Sequence, residues 1–301
     1  MAFKAVDEKG RGVDVEGSVW SSYGDLVTMF RSVHLGMGSF SIKPEAGLNY
    51  HAIVSGPGNA ETRVDLPGSF ASGVTLSAVR RDGNNLSGIA RTNEQTLSVL
   101  KDKDLKLIIS VRQEIINTIL LKISSLSSAL TLPVNDLPEG IIMLTLTSSE
   151  DLPLAERLIF VEHNPALSVN ILASKEEFKQ REPVTLSVSV SGDHGQDETA
   201  FLSLSATDGI YTDNPGEYKT SISSWFLLES DVKGPVKGPA YYFDRSNPDR
   251  TRDLDLLLMT QGWRDFSWKF NTINYFTPEN EFHISGQCCE QKRPAIWFIN
   301  N

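Results

Sequence analysis

The residues whose types and spacing most clearly suggest a reaction form a short run near the end of the chain, Cys288-Cys289-Glu290-Gln291. A thiol and a glutamine side chain at this spacing resemble an internal thioester of the type Cys-Gly-Glu-Gln, in which the two groups join in a reactive acyl bond. The cysteine at position 289 departs from that pattern, because glycine allows the tight turn at low steric cost. The bond also needs a large helical domain that shields it from water, and none is evident in the sequence. We therefore interpret the run as a chance match or an altered C-terminal end.

Metal chemistry would need clustered ligands, whereas the five histidines lie far apart and show no HxH or HExxH spacing. They are His34, His51, His163, His194 and His283. A site shared between distant strands stays open. The acidic turn with Asp193, Asp197 and Glu198 lacks the ligand spacing of an EF-hand, and we interpret it as a solvated hairpin tip. No serine lies in Gly-x-Ser-x-Gly. The sequence thus predicts no catalytic residue, no metal and no cofactor.

A third group of interest is aromatic and lies between residues 225 and 268. Its members are Trp225, Phe226, Tyr241, Tyr242, Phe243, Trp263, Phe266 and Trp268. Aromatic side chains are prominent in both cores and binding surfaces, so two roles are open for this group. It could pack a helical cap onto a sandwich, or it could line a binding surface for a glycan or peptide. The helical spacing favours the core. The residues of a ligand or partner surface, if one exists, would be Tyr241, Tyr242, Phe243, Trp225 and Trp263. Tyr241 and Tyr242 are the most expected to be exposed, because Pro and Gly flank them.

The elements that carry these candidate residues can be read from the hydrophobic pattern. Most of the chain consists of short runs in which apolar and polar residues alternate, and turns with Gly, Pro and Asn separate these runs. They predict a mainly β chain of tandem antiparallel β-sandwiches, with units at 1–68 and 69–163. Within the second unit, the run 81–85 predicts a hairpin. The run 108–123 has the length of a helix but is rich in β-branched residues. We predict strands there.

A third sandwich is predicted at 164–270, with strands at 169–171, 184–190 and 201–206. A helical cap at about 221–268 follows these strands and is assigned to the same unit. Two helices are predicted from apolar stripes. The first stripe contains Ile222, Trp225, Phe226, Leu227 and Leu228, and the second contains Leu254, Leu257, Leu258 and Gly262. Asp253 is predicted as the N-cap or a first-turn acid of the second helix. Residues 271–301 are predicted to open a further strand unit.

Composition excludes some partners. The net charge of −10 and pI near 5.1 disfavour nucleic acid, whose phosphates are bound by clustered Lys and Arg. No run reaches the roughly 18 apolar residues of a membrane span, and residues 1–17 do not have the pattern of a signal peptide. Export is not excluded, since the sequence could be a piece of a longer exported protein. The adjacent Cys288 and Cys289 leave the redox compartment open.

Five segments together resemble a known family. They are LPLAERLIFVE, KEEFKQREPVTLSVSV, LSLSATD, LLESDVKGPVKGPAYYF and LDLLLMTQGWRDFSW, all within about 149–270. The family consists of large cell-envelope proteins of Bacteroidetes with macroglobulin-like (MG2-type) β-sandwich domains, many of which continue into carboxypeptidase-regulatory-like and TonB-receptor plug-like domains. The resemblance implies macroglobulin-like sandwiches. It also implies export to the periplasm or outer membrane.

Three functions follow as hypotheses. The first is a non-catalytic structural or interaction module that binds other envelope proteins or neighbouring domains of a longer chain. The second is a binding protein for an extracellular glycan or peptide through the aromatic residues. The third, least favoured, is a macroglobulin-like protease trap, which would require methylamine to release a thiol.

Overall fold

The computed structural model describes residues 1–58, 61–82, 85–112, 114–163, 167–192, 195–204, 206, 219–262 and 295–299. These residues form several antiparallel sheets and few helices, which confirms the predicted mainly β class. The chain divides into two compact units. One comprises Met1–Val161 with Tyr218–Asn301, and the other comprises Glu162–Glu217.

The first sandwich is built from β1 (Ala2–Val6), β2 (Glu16–Ser21), β3 (Leu26–Arg31), β4 (Met37–Ser39), β5 (Tyr50–Ser55), β6 (Glu61–Asp65) and β16 (Ala295–Ile299). Its sheets have the orders β16-β1-β4 and β3-β2-β5-β6. Alternate residues of the strands point inward and form one apolar core, which includes Phe3, Val19, Phe30, Ala52 and Val54. Strand β16 pairs with β1, so 295–299 joins this sandwich instead of opening a further unit.

The second sandwich contains β7 (Val74–Asp82), β8 (Asn85–Thr92), α1 (Glu94–Leu100), β9 (Leu105–Val111), β10 (Glu114–Leu121), β11 (Ser127–Pro133), β12 (Gly140–Thr147) and β13 (Pro153–Val161). The sheet orders are β10-β9-β12-β13 and β11-β8-β7. Strands β9 and β10 cover most of 108–123, and β7 pairs with β8 around the predicted hairpin. Both predictions are confirmed. Helix α1 was not predicted, although Asn93 caps it by accepting a 2.9 Å hydrogen bond from the Thr96 amide.

The unit at 162–217 contains an antiparallel pair, β14 (Leu167–Ala173) and β15 (Leu186–Gly192). One face of the pair is aliphatic, with Val169 opposite Val190 and Ile171 opposite Val188, and the other face is mostly serine and asparagine. The strand predicted at 201–206 is wrong for the described residues 201–204 and 206, which have no strand partner and leave Phe201 fully exposed.

The remaining helices lie between residues 222 and 261. They are α2 (Ile222–Ser224), a π-helix (Trp225–Glu229) that continues it, a 3-10 helix (Pro239–Phe243) and α3 (Arg250–Gln261). We call residues 219–262 the helical segment. The helices of the part of the chain described by the structure are all too short or too polar to cross a membrane.

Candidate functional site

The helical segment begins with a reciprocal cap. The Ser221 hydroxyl accepts a 3.0 Å hydrogen bond from the Ser224 amide, and the Ser224 hydroxyl accepts one of 2.8 Å from the Ser221 amide. These bonds satisfy backbone donors that a helix start leaves without partners. The Ser224 hydroxyl also donates to the Glu229 carboxylate at 2.7 Å, which spans the π-helical turn. The start of the segment is therefore held rigidly.

One face of the helical segment is buried in an apolar cluster. Leu254, Leu257 and Leu258 of α3 are buried, which confirms the predicted stripe, and Leu228 of the π-helix joins them. On the other side, the cluster contains Ile141 of β12, Leu158 of β13 and Met37 of β4. The segment thus packs between the outer face of the second sandwich and the first sandwich.

This position corrects the predicted assignment of 221–268 to the third sandwich at 164–270. The helical segment belongs to the compact unit that contains residues 1–161. The physical reason is the outer face of β12 and β13, where Ile141, Met143, Leu158 and Phe160 form an apolar surface that a solvated sheet face would not have.

Polar contacts tie the helical segment to both sandwiches. Arg157 of β13 is buried and donates to the Asp255 carboxylate at 2.6 Å, while burial raises the pKa of Asp255 against the opposing effect of Arg157. Arg112, in the turn after β9, donates to the Phe226 carbonyl at 2.5 Å. Lys4 of β1 donates to the Gln261 side chain at 2.6 Å. These hydrogen bonds fix the position of the helical segment on the two sandwiches, in addition to its apolar packing.

A cluster of aromatic and charged side chains lies where the helical segment meets the first sandwich. The Tyr241 ring stacks on His34 with centroids 4.3 Å apart, and its hydroxyl donates to the Asp253 carboxylate at 2.5 Å. Arg252 donates to the other oxygen of Asp253 at 2.8 Å. Asp253 lies in the first turn of α3, as one of the two predicted alternatives had it, and Asp249 is the N-cap residue.

Burial and neighbouring charges shift pKa values within this cluster. The distance between His34 Nδ1 and Asp253 Oδ2 is 3.6 Å. Burial, the largest effect, and Arg252 lower the pKa of His34, while Asp253 opposes them. Burial and the bond to Asp253 raise the pKa of Tyr241. His34 Nε2 is buried and has no hydrogen-bond partner among the described residues. Sequence reasoning missed the His34 and Asp253 pair, because they are distant in the chain.

The lowered pKa of His34 predicts a pH dependence of stability. Above the ordinary value of 6.5 the ring is neutral in both the folded and the unfolded chain. As the pH falls below that value, His34 binds a proton in the unfolded chain before it does so in the folded chain. The free energy of unfolding therefore decreases with falling pH until the pH reaches the pKa of His34 in the folded chain. Urea unfolding from about pH 7.5 to 5 should show this loss in the wild type and a shallower one in His34→Gln. Identical pH slopes in the two proteins would contradict the prediction.

The aromatic residues predicted as a ligand surface divide into two groups. Tyr242 is 1% exposed, so the expectation that it lies on an exposed loop is wrong. Pro239 begins a 3-10 helix that turns its ring inward. Tyr241 and Phe243 are half-buried, and Phe243 packs edge-on against Phe160.

The exposed group lies at the start of the helical segment. Trp225 and Phe226 are 52% and 54% exposed, and Ile222 beside them on the same helical face is 70% exposed. We call these three residues the aromatic stripe. The predicted core role of Trp225 and Phe226 is wrong, because Leu228 faces the apolar cluster in their place. Trp263, Phe266 and Trp268 lie outside the described residues.

Among the described residues, no group of His, Cys, Asp and Glu is arranged to hold a metal ion. The run 288–291, the histidines 194 and 283 and Asp193 lie outside the described residues.

Comparison with known proteins adds little to this geometry. No family model matches the chain, and no curated protein matches it significantly. Among solved structures, the chain is similar to the crystal structure of a protein described as membrane anchored, from Corynebacterium diphtheriae. The identity is 12%, the match covers 60% of this chain and 68% of that one, and the TM-score is 0.23. A similarity of that size supports no conclusion about function.

Proposed function

We propose that the chain is a non-catalytic structural and interaction module of a bacterial cell-envelope protein, at the periplasm or outer membrane. The aromatic stripe is the surface with which it binds a partner protein or a neighbouring domain of a longer chain. The observation that carries the proposal is the exposure of Ile222, Trp225 and Phe226 on a segment that is otherwise packed and tethered.

The stripe has the properties of a protein-binding surface. A partner that removes adjacent, exposed apolar side chains from water lowers the free energy of the system. The side chains of the stripe are all at least half exposed. Tryptophan is among the residues that dominate interface energetics. The stripe is also preorganised, because the cap of α2 and the bond from Arg112 to the Phe226 carbonyl fix its backbone.

The envelope location is supported by the resemblance of 149–270 to envelope proteins of Bacteroidetes. The acidic composition is compatible with a protein partner and unfavourable for nucleic acid.

A glycan or extended peptide is the second candidate for the same surface. Trp225, one of the residues predicted for a ligand surface, supports this candidate. Its ring is exposed and could stack on a sugar or on a peptide side chain. The burial of Tyr242 removes one residue of the platform. A purified Trp225→Ala variant that keeps its fold but loses glycan binding would support this candidate over a protein partner.

Photocrosslinking tests the interaction proposal. A benzophenone amino acid at position 226 should crosslink to one envelope protein in producing cells, and Trp225→Ser in the same chain should abolish the adduct. The purified partner should then bind the wild type at least about tenfold more tightly than Trp225→Ser.

The matched control carries the same photoreactive group at Phe70, an exposed aromatic residue between the two sandwiches. Position 70 should give no such adduct. Equal crosslinking from positions 70 and 226, or none from 226, would refute the proposal.

A further inference from the structure

We propose that the outer face of the sheet β3-β2-β5-β6 carries a binding site for a neutral oligosaccharide, built from Trp20 and the polar cavity beside it. The site goes beyond the interaction role proposed above, because it lies on the first sandwich and no residue of the helical segment contributes to it.

The cavity opens at one end of this sheet, where β2 and β6 end and β5 begins. Its volume is about 350 Å³, which suits a small polar ligand or one part of a longer one. Two buried residues, Tyr50 and Leu66, contribute to its lining. The other lining residues are polar, namely Ser22, Asn49, His51, Arg63 and Asp65.

Strand register places an aromatic ring next to the cavity. Trp20 of β2 is the cross-strand partner of His51 on β5, and His51 is the partner of Asp65 on β6. Side chains directly opposite each other share a face, with Cβ atoms about 4.5–5.5 Å apart. The Trp20 indole also donates a 2.8 Å hydrogen bond to the Ser18 hydroxyl, which fixes the ring along its own strand. Trp20 does not itself line the cavity, but its half-buried side chain neighbours the lining residue His51 on the same face of the sheet.

Apolar surface continues from Trp20 away from the cavity. Leu26 of β3 is the partner of Trp20 on the opposite side from His51 and is exposed. Tyr23, in the turn between β2 and β3, is 81% exposed. The face thus offers a polar cavity at one end of the sheet and exposed aromatic and aliphatic side chains near it.

The charges of the lining favour a neutral ligand over an anionic one. Arg63 and Asp65 form an ion pair with a distance of 3.4 Å between Nε and Oδ1, so a carboxylate accompanies the one Arg or Lys among the described residues that line the cavity. A phosphate or carboxylate ligand would meet that carboxylate. Both side chains are largely exposed, and their hydrogen-bonding groups are thus available to an uncharged ligand.

A saccharide fits the remaining chemistry. Each hydroxyl is both a donor and an acceptor, and the lining supplies donors from Arg63, acceptors from Asp65 and both from Asn49. The C–H face of a sugar ring is apolar and packs on an indole. A purely apolar ligand would leave these polar groups without water or partners, which is unfavourable.

Titration with cellohexaose and chitohexaose tests the site. One of these neutral probes should bind with a Kd of about 1 mM or tighter and should shift the Trp20 indole resonance in NMR spectra. Trp20→Ala should weaken binding by about tenfold or more. Asp65→Ala should weaken it by several-fold, and because Asp65 is 80% exposed this second variant keeps its fold.

The matched controls are Asp104→Ala and Phe70→Ala. Asp104 forms an exposed ion pair with Lys122 at the same 3.4 Å, on the second sandwich, and Phe70 is an exposed aromatic residue elsewhere. Both variants should bind like the wild type. The proposal is overturned if neither probe binds, if a galacturonic acid hexamer binds more tightly, or if Trp225→Ala abolishes binding while Trp20→Ala does not.

Discussion

Replacing Leu257 with alanine is expected to lower the free energy of unfolding by about 2–5 kcal/mol. Leu257 is 1% exposed and lies in the apolar cluster of the helical segment together with Ile141, Leu158 and Met37. Removing its side chain loses buried contacts and leaves a cavity, because the two sandwiches on either side cannot both move inward to fill it. Urea unfolding followed by circular dichroism measures the change.

Leu152→Ala is the matched control for this substitution. Leu152 is 60% exposed in the turn before β13, so the same deletion there should change the free energy of unfolding by less than about 0.5 kcal/mol. A similar loss of stability in both variants would mean that the burial of Leu257 is not the cause.

Hydrogen exchange tests whether the helical segment stabilises both sandwiches. In Leu257→Ala, the amides of Val19 in the first core and Leu107 in the second should lose protection together, since the segment packs on both sandwiches. Loss of protection at only one of these amides would restrict the supporting role of the segment to one sandwich.

Local sequence patterns were sufficient to predict the strands in 108–123, the pairing of β7 with β8 and the buried stripe of α3. The β-branched residues of 108–123 favour strands, and the spacing of Leu254 and Leu257 requires an apolar partner. These features depend on the backbone geometry of a few neighbouring residues. They do not depend on what the rest of the chain contributes.

The docking of the helical segment could not be predicted in the same way. Its partners, Met37 and Leu158, are far from α3 in the sequence, and an apolar stripe does not specify which apolar surface covers it. The expected exposure of Tyr242 failed for a related reason. Flanking Pro and Gly indicated a loop, but burial of the ring was decided by long-range packing beside His34.

The two proposed binding surfaces could not be fully predicted from the sequence either. Trp225 was among the predicted site residues, but its exposure follows from which side of the segment Leu228 buries. Trp20 and Asp65 were not predicted at all. Each strand pattern indicates an outward residue, yet only the register of β2, β5 and β6 aligns them with His51 in one row.

Asp253→Ala is expected to lower the free energy of unfolding by about 3 kcal/mol. The Asp253 side chain is 1% exposed and accepts hydrogen bonds from the Tyr241 hydroxyl at 2.5 Å and from Arg252 at 2.8 Å. Its removal leaves these donors without that acceptor at the junction with the first sandwich. Asp249→Ala is the control, because its ion pair with Arg252 is exposed and should contribute less than about 1 kcal/mol.

A double-mutant cycle separates the hydrogen bond from the loss of the carboxylate as a whole. Tyr241→Phe removes the hydroxyl and keeps the ring that stacks on His34. If the bond to Asp253 stabilises the junction, the double variant should lose about 1–2 kcal/mol less than the sum of the two single variants, as urea unfolding would measure. Strict additivity would show that Asp253 acts through Arg252 and His34 alone. The bond between Tyr241 and Asp253 would then contribute nothing to holding the helical segment on the first sandwich.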